Sequence, residues 1–147
     1  MTFPATPRLA ALTPYLLSKV GKAARTLVAE RLAARGLRLW DMAVLAALAD
    51  HGPQVQRELA ERLDVHPSDM AKVVDGLART GRVERARDPA DRRRVLVRIA
   101  EPGRRLLEEL TGEAAAVRDE LLGPLDEAER ATLHELLLRV HLHGAGR

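Results

Sequence analysis

The fold is decided by residues 56–99, which read QRELAERLDVHPSDMAKVVDGLARTGRVERARDPADRRRVLVRI. Residues 56–63 carry apolar side chains at helical spacing and predict a short helix. After a three-residue connection, Pro67 suits the first position of a second helix, because its missing N–H would have no partner there. We expect this second helix to end at Gly81. Its predicted buried stripe consists of Met70, Val73, Val74 and Leu77.

Polar side chains occupy the other face of the second helix, and an arginine-rich segment follows it. Residues 82–98 contain seven arginines and three acidic residues. Their pattern predicts two short strands around a turn that begins at Asp88-Pro89. Two helices, a tight turn and a basic hairpin together form a helix-turn-helix with a wing. Such a unit presents the first turns of its second helix to the major groove and its wing to the backbone or the minor groove. The residues that this pattern singles out are Ser68, Asp69, Lys72 and Arg92.

The composition favours a mainly helical body. Leu and Ala supply 25 and 24 of the 147 residues, whereas Phe, Trp and Tyr occur once each. This composition argues against a β-sandwich or barrel and against binding single strands by aromatic stacking. The lack of Cys excludes disulfides, thiolate chemistry and Cys-ligated zinc. No apolar run is long enough for a membrane span, and the first seven residues lack a signal-peptide pattern. We therefore expect a cytoplasmic protein with no membrane contact and no cofactor.

Helices are predicted on both sides of the helix-turn-helix. The patterns indicate a long first helix from Leu9 to Arg35, a buried helix over residues 40–50, and two final helices over residues 101–122 and 127–142. Asp126 and Glu129 have the spacing of a capping box. The first helix and the last helices have apolar stripes that need a partner.

The chain resembles the MarR (multiple antibiotic resistance regulator) family of bacterial winged-helix transcription factors. The resemblance spans nearly the whole chain, and its specific part runs from Leu59 to Arg93. The family pattern Asp-x-Arg, followed five residues later by Leu-Thr, is matched by Asp91-Arg92-Arg93 and Ile99-Ala100. Ala100 replaces the threonine that usually caps the next helix, so that cap has to be supplied in another way.

The resemblance implies a sequence-specific regulator of double-stranded DNA, of the repressor type, that acts as a homodimer on a pseudo-palindromic operator. Residues 38–100 would form the DNA-binding part, and residues 8–36 and 101–143 the dimerisation helices. Arg92 would enter the minor groove, and Arg93 would hold the wing by pairing with an acid. The complete set of predicted DNA-contacting residues is His66, Ser68, Asp69, Lys72, Arg87, Arg92, Arg93 and Arg94.

Asp69 departs from the pattern of the family. Many relatives begin the recognition helix with Ser-x-x-Thr, and the matching positions here are His66 and Asp69. A carboxylate near DNA has two interpretations: it accepts a hydrogen bond from a cytosine amine, or it caps the N–H groups at the start of the helix. We expect the capping role.

The resemblance also implies a small phenolic or anionic effector, which in this family binds between the dimer helices and the winged domain. Tyr15 and Trp40 are candidates to line such a pocket, with Arg38 and His51 as polar anchors. The competing interpretation makes Trp40 a core residue of an apolar helix, and we favour it over the pocket role.

Two other functional classes fit parts of the sequence. A winged helix can serve as a protein-interaction module, with Asp69 and Asp75 meeting a basic partner. His134, His141 and His143 could mark a metal sensor, but no third placed ligand accompanies the pair that shares a helical face, so no metal site is predicted. The zinc-protease motif fails because Leu138 stands at its second histidine position. With only two serines and no phosphate-binding glycine loop, catalysis is not expected.

Overall fold

The computed structural model describes residues 6–146. The first five residues, which belong to the segment that lacks a signal-peptide pattern, lie outside the described residues, as does Arg147. None of the helices described is long and apolar enough to cross a membrane. The elements in chain order are α1 (Pro7–Ala10), α2 (Thr13–Ala33), α3 (Leu39–His51), β1 (Gln54–Val55), α4 (Gln56–Arg62), α5 (Pro67–Arg79), β2 (Val83–Arg87), β3 (Val95–Ile99), α6 (Glu101–Leu121) and α7 (Glu127–Ala145).

The core lies where α3 meets α5, β3 and the first half of α6. α3 is apolar on nearly every side, as predicted, and Val44, Leu45 and Leu48 are completely buried. The predicted stripe of α5 is buried in the same cluster, which confirms the amphipathic pattern. Removing this apolar surface from water is the main force that holds α5 in place.

The wing belongs to a three-stranded antiparallel sheet with the strand order β1-β3-β2. The two predicted strands are confirmed: β2 pairs with β3 from Val83–Ile99 to Arg87–Val95. The third strand, β1, was not predicted. It is two residues long and exists only through its pairing with Val97 and Leu96 of β3, so it has no period of its own that a sequence pattern could reveal.

The long first helix was predicted as one piece, and this is wrong. The chain forms the short helix α1 and then restarts as α2 at Thr13. Pro14 lies in the first turn of α2, where a proline is tolerated; inside a continuous helix it would remove a hydrogen bond and clash with the preceding turn. At its C-terminal end the helix stops at Ala33, two residues before the predicted Arg35, and Gly36 follows in the left-handed conformation at φ 72°.

The two last helices begin in different ways. At α7 the predicted capping box is confirmed: the N–H of Glu129 donates to Oδ1 of Asp126 at 2.8 Å, and the N–H of Asp126 donates to Oε1 of Glu129 at 3.0 Å. At α6, Ala100 supplies no side-chain cap. Its own N–H donates to the carbonyl oxygen of Arg82 at 2.9 Å, which ties the start of α6 to the start of the wing.

Ion pairs join α2 to α6. Nη1 of Arg31 donates to Oε2 of Glu113 at 2.8 Å, and Arg35 contacts Glu113 at 3.0 Å and Glu109 at 2.8 Å. The hydrogen bond from Arg31, followed by that from Arg35, holds the pKa of Glu113 below its usual range. The pKa of Arg35 is raised, chiefly by its bond to Glu113. The cluster fixes the end of α2, next to the winged part, against the middle of α6.

Candidate nucleic-acid interface

α5 presents a polar face because its other face is locked into the core. Met70 and Val74 are completely buried, and Val73 and Leu77 nearly so. The opposite face is solvent-exposed along its whole length, with Ser68, Asp69, Lys72, Asp75 and Arg79 on it. A helix held so firmly can place its exposed side chains at defined positions on a duplex.

The first turn of α5 is capped by His66, not by Asp69. The N–H of Ser68 donates to Nδ1 of His66 at 3.1 Å, and Oγ of Ser68 lies 2.7 Å from the same nitrogen. The expected capping role of Asp69 is therefore wrong. Asp69 is exposed in the first turn of α5, and within residues 6–146 its carboxylate takes part in no hydrogen bond or ion pair. The cap escaped prediction because His is not a usual N-cap residue.

An ion pair connects α5 to the wing. The carboxylate of Asp75 accepts a hydrogen bond from the guanidinium of Arg85 on β2. On the outer face of the same hairpin, Nε of Arg98 donates to Glu84 at 2.7 Å. Arg85 and Arg98 are thus two of the wing arginines that have internal partners. Sequence reasoning missed both pairs, although the Glu84–Arg98 pair follows from the strand register, which places the two residues opposite each other.

The turn of the wing, over residues 88–94, is held by its own aspartates. The N–H of Ala90 donates to Oδ1 of Asp88 at 2.9 Å, which forms an Asx-turn. Arg93 donates to Asp91 through its N–H at 3.0 Å and through Nε at 3.2 Å. These contacts, the side-chain one first, lower the pKa of Asp91. The pairing of Arg93 with an acid, which the resemblance implied, is present in the structure.

Arg87 and Arg92 differ in the contacts that their side chains make in this turn. Nη1 of Arg87 donates to the carbonyl oxygen of Arg92 at 2.8 Å, so Arg87 braces the turn from β2. The side chain of Arg92 is exposed, and in the part of the chain that the structure describes it makes no hydrogen bond or ion pair. The tip of the wing therefore carries a cation that can bind an external anion.

Arg94 bridges the wing to α4. Its Nη2 lies 3.4 Å from Oε1 of Glu58, and its Nε lies 3.8 Å from Oδ2 of Asp88. A groove of about 770 Å³ runs between α4 and the wing, with Arg57 and Arg93 among its lining residues. Of the eight residues predicted to contact DNA, all are exposed on α5 or the wing, with His66 at the N-cap of α5. Their roles toward DNA stay predictions.

The four residues predicted for an effector pocket are spread along two helices. Trp40 and His51 lie at opposite ends of α3, and eleven residues of helix separate them by roughly 16 Å. Arg38 precedes α3, and its N–H donates to Asp41 at 2.8 Å. Tyr15 is half-buried near the start of α2, with Nζ of Lys19 5.4 Å from the centre of its ring. The pocket role stays a prediction.

The core interpretation of Trp40 is wrong. This side chain is 43% exposed, unlike the buried residues farther along α3. α3 is apolar all round, so its pattern does not reveal which side chains the chain itself covers.

Large apolar side chains remain exposed on the outer helices. On α1, α2 and the link between them they are Leu9, Leu12, Leu16, Leu17 and Val20, and on α7 they are Leu136, Leu137, Leu138, Val140 and Leu142. A mostly apolar cavity of about 670 Å³ lies between α2, α6 and α7. Apolar surface of this extent on a folded protein marks a contact with another molecule.

The three C-terminal histidines lie on α7, where all of them are exposed. His134 lines the apolar cavity beside Leu133 and Leu137. Among residues 6–146 no three His, Asp or Glu side chains come together in a group that could hold a metal ion.

Comparison with known proteins agrees with this geometry. A family model described as MarR family matches residues 40–95, which run from α3 into β3. The HTH-type transcriptional repressor NicR of Pseudomonas putida is 33% identical over 96 residues, or 65% of this chain, and the match spans only 61% of the length of NicR. The HTH-type transcriptional regulator MhqR of Bacillus subtilis is 32% identical over 108 residues, or 74% of each chain.

The fold also matches a solved structure over most of its length. The crystal structure of apo MarR from E. coli has a TM-score of 0.78 and 27% sequence identity, and the match covers 88% of this chain and 96% of that one. The chain therefore belongs to the MarR family of winged helix-turn-helix transcriptional regulators.

Proposed function

We propose that this protein is a DNA-binding transcriptional regulator, of the repressor type, that acts as a homodimer on a pseudo-palindromic operator in the cytoplasm and catalyses no reaction. The observation that carries the proposal is the combination of a reading helix locked into the core with a wing whose tip carries Arg92, an arginine without an ion pair among residues 6–146. Family membership supports it, and NicR is itself a repressor.

The side chains divide into readers and supports. Lys72 and Asp69 on α5 face outward and reach base edges, while Arg92 enters the minor groove or contacts the backbone. Ser68 and His66 shape the first turn of α5. Three other arginines hold the wing through the contacts described above: Arg87, Arg93 and Arg94. Their side chains are exposed, so they can also contact phosphates.

The exposed apolar side chains of the outer helices support the homodimer. In this arrangement residues 38–100 form the DNA-binding part, and residues 8–36 and 101–143 form the dimerisation helices. A second copy would cover the apolar surface of α7 and close the cavity between α2, α6 and α7. A two-fold axis would place the two copies of α5 about 34–36 Å apart, which is one turn of the duplex.

A small phenolic or anionic effector would release the DNA by changing this spacing. Trp40 is the large aromatic side chain exposed on the winged part, and Arg38 beside it offers a cation. Tyr15 on α2 and His51 at the far end of α3 are the other two residues of this proposed pocket.

The test measures binding to a short duplex taken from the region upstream of the protein's own gene. Fluorescence anisotropy at several salt concentrations reports the affinity. We expect nanomolar binding that weakens steeply with salt, because neutralised phosphates release their counterions. A scrambled duplex of the same composition is the control and should bind much more weakly.

The competing class, a protein-interaction module, predicts no binding to either duplex even at low salt. In that class of protein, Asp69 and Asp75 would contact a basic partner. Asp75 already has Arg85 as an internal partner, which weakens that alternative.

A further inference from the structure

Asp69 is an exposed carboxylate that has no partner in the part of the chain that the structure describes. Three other acidic side chains near the reading surface have partners: Asp75 pairs with Arg85, Glu58 with Arg94, and Asp91 with Arg93. Within residues 6–146 the carboxylate of Asp69 has none, and its expected function as a cap belongs to His66. It faces outward from the first turn of the reading helix.

A carboxylate at this place has a cost for DNA binding. It approaches the negatively charged duplex, and it weakens attraction to every sequence alike unless it gains a hydrogen bond there. The favourable interaction of an acid with the start of a helix explains a small gain in stability, but not a preference among base sequences. The two explanations are therefore separable by experiment.

In the major groove, cytosine is the base whose exposed group suits a carboxylate. Cytosine presents its N4 amine as a donor, whereas guanine presents the acceptors O6 and N7 and thymine the acceptor O4. A carboxylate accepts from the first and is repelled by the others. Adenine offers a donor but sets the N7 acceptor beside it.

The neighbours of Asp69 leave it room to act as a reader. Ser68, the adjacent polar residue, is engaged with His66 at 2.7 Å. Lys72 is three residues further on and lies on the same face of the helix, where side chains are about 5–6 Å apart at the β-carbon. In the described part of the chain, Lys72 has no ion pair either, and its ammonium is a donor for guanine.

We propose that Asp69 determines operator specificity by accepting a hydrogen bond from the N4 amine of a cytosine in each half-site. The inference rests on the proposed function, since it requires α5 to lie in the major groove. The negative charge of Asp69 lowers the affinity for any duplex. Where a C·G pair lies beneath the first turn of α5, the hydrogen bond to cytosine offsets this loss.

The experiment selects binding sites from a random duplex library with the full-length wild-type protein and with the Asp69→Ala and Asp69→Asn variants. Wild type should enrich a two-fold motif in which one position of each half-site is cytosine. Asp69→Ala should enrich the same motif with that position degenerate, and Asp69→Asn should move it toward adenine, which Asn recognises through N6 and N7. Asp50→Ala is the control, because Asp50 is an exposed aspartate at the end of α3, outside the reading helix, and this variant should keep the cytosine.

A second measurement isolates the hydrogen bond. In one half-site of the selected duplex, this cytosine is replaced by 2-pyrimidinone, which lacks only the exocyclic amine. Wild type should lose on the order of 5- to 150-fold in affinity, the range of one base contact, and Asp69→Ala should lose almost nothing. Melting temperatures of the variants confirm that each is folded.

The outcomes separate the two proposals. If wild type enriches a two-fold motif but Asp69→Ala keeps the same base at every position, the inference is overturned and the proposed function stands. If wild type enriches no motif at all, the proposed function fails and the inference with it. Equal losses of wild type and Asp69→Ala on the 2-pyrimidinone duplex also overturn the inference.

Discussion

Gly103 in the first turn of α6 lies so close to Arg82 that a β-carbon on the glycine would overlap the carbonyl oxygen of Arg82. The same β-carbon would be 3.0 Å from Cγ1 of Ile99. The obstructing oxygen belongs to the backbone, which cannot swing away as a side chain can. This contact sits where the wing begins and where the N–H of Ala100 also bonds to Arg82, so it sets the position of α6 relative to the wing.

We predict that Gly103→Ala destabilises the protein by about 1–3 kcal/mol, the usual cost of forcing extra volume into a packed site. Gly112→Ala is the matched control, because it lies in the same helix with nothing within 4 Å of its added β-carbon. It should stabilise the protein by about 0.8 kcal/mol through helix propensity. Urea unfolding measures both, and equal effects of the two variants would contradict this account.

The ion pairs between α2 and α6 predict a dependence of stability on pH. Arg31 and then Arg35 lower the pKa of Glu113 in the folded state, so the stabilisation is present above the ordinary carboxyl pKa of about 4.3 and is lost as the pH falls through the folded value. Glu113→Gln should therefore lower the melting temperature at pH 7 but change it much less at acidic pH.

Glu108→Gln serves as the control for this pH series. Glu108 is an exposed carboxylate of the same helix and has no ion pair within residues 6–146. Its replacement should shift the melting temperature equally little at both pH values. A difference between wild type and Glu113→Gln that is the same at neutral and acidic pH would show that the pair does not act through the charge of Glu113.

The winged part was predictable from the sequence because its elements have strong local signals. The buried stripe of α5 has a helical period, and the strands around the turn at Asp88 have a period of two. Both strands lie within one residue of their predicted bounds, whereas α5 ends at Arg79, two residues before Gly81. What escaped prediction depends on contacts between distant residues. β1 exists only as a partner of β3, and the close approach of Gly103 to Arg82 has no sign in the pattern beyond a glycine inside a helix.

The candidate site was predictable in its composition but not in its internal pairing. The sequence placed the polar residues on the outer face of α5 and the arginines in the wing. It could not show that His66 supplies the cap that was expected from Asp69, or that Arg85 is held by Asp75. Choice of partner depends on side-chain distances that only the folded chain defines. The prediction of Trp40 as a core residue failed for a related reason. An apolar pattern does not show whether a side chain is buried by its own chain or by another molecule.

The wing tip gives a prediction about salt dependence. Arg92 has no internal partner in the described residues, so its replacement removes a cation from the DNA interface without disturbing the fold. Arg92→Ala should weaken operator binding and reduce the salt slope of log K by about 0.9 for each phosphate that is no longer neutralised, or about 1.8 for the two wings of a dimer. Fluorescence anisotropy across a salt series measures this slope.

Arg98→Ala is the control for the wing, because Arg98 is an exposed arginine of the same sheet that pairs with Glu84. Its charge is already partly compensated, so the salt slope should change less than with Arg92→Ala. If Arg92→Ala matched wild type at every salt concentration, Arg92 would have no part in binding DNA.

The exposed apolar face of α7 predicts how the dimer can be broken without unfolding the protomer. Val140 is 65% exposed in a single chain, so a charge at this position costs the isolated protomer little, whereas at a dimer interface it would be buried without a partner. In size-exclusion chromatography with light scattering, Val140→Glu should therefore have the protomer mass of 16.2 kDa, whereas wild type should have twice that mass. The variant should also lose most of its operator affinity, because one α5 binds only one half-site.

The conservative variant Val140→Leu should remain a dimer and bind as wild type does. A Val140→Glu protein that stays dimeric would place the interface between copies elsewhere on the chain, and a monomer with unchanged operator affinity would show that DNA binding does not require two copies of α5.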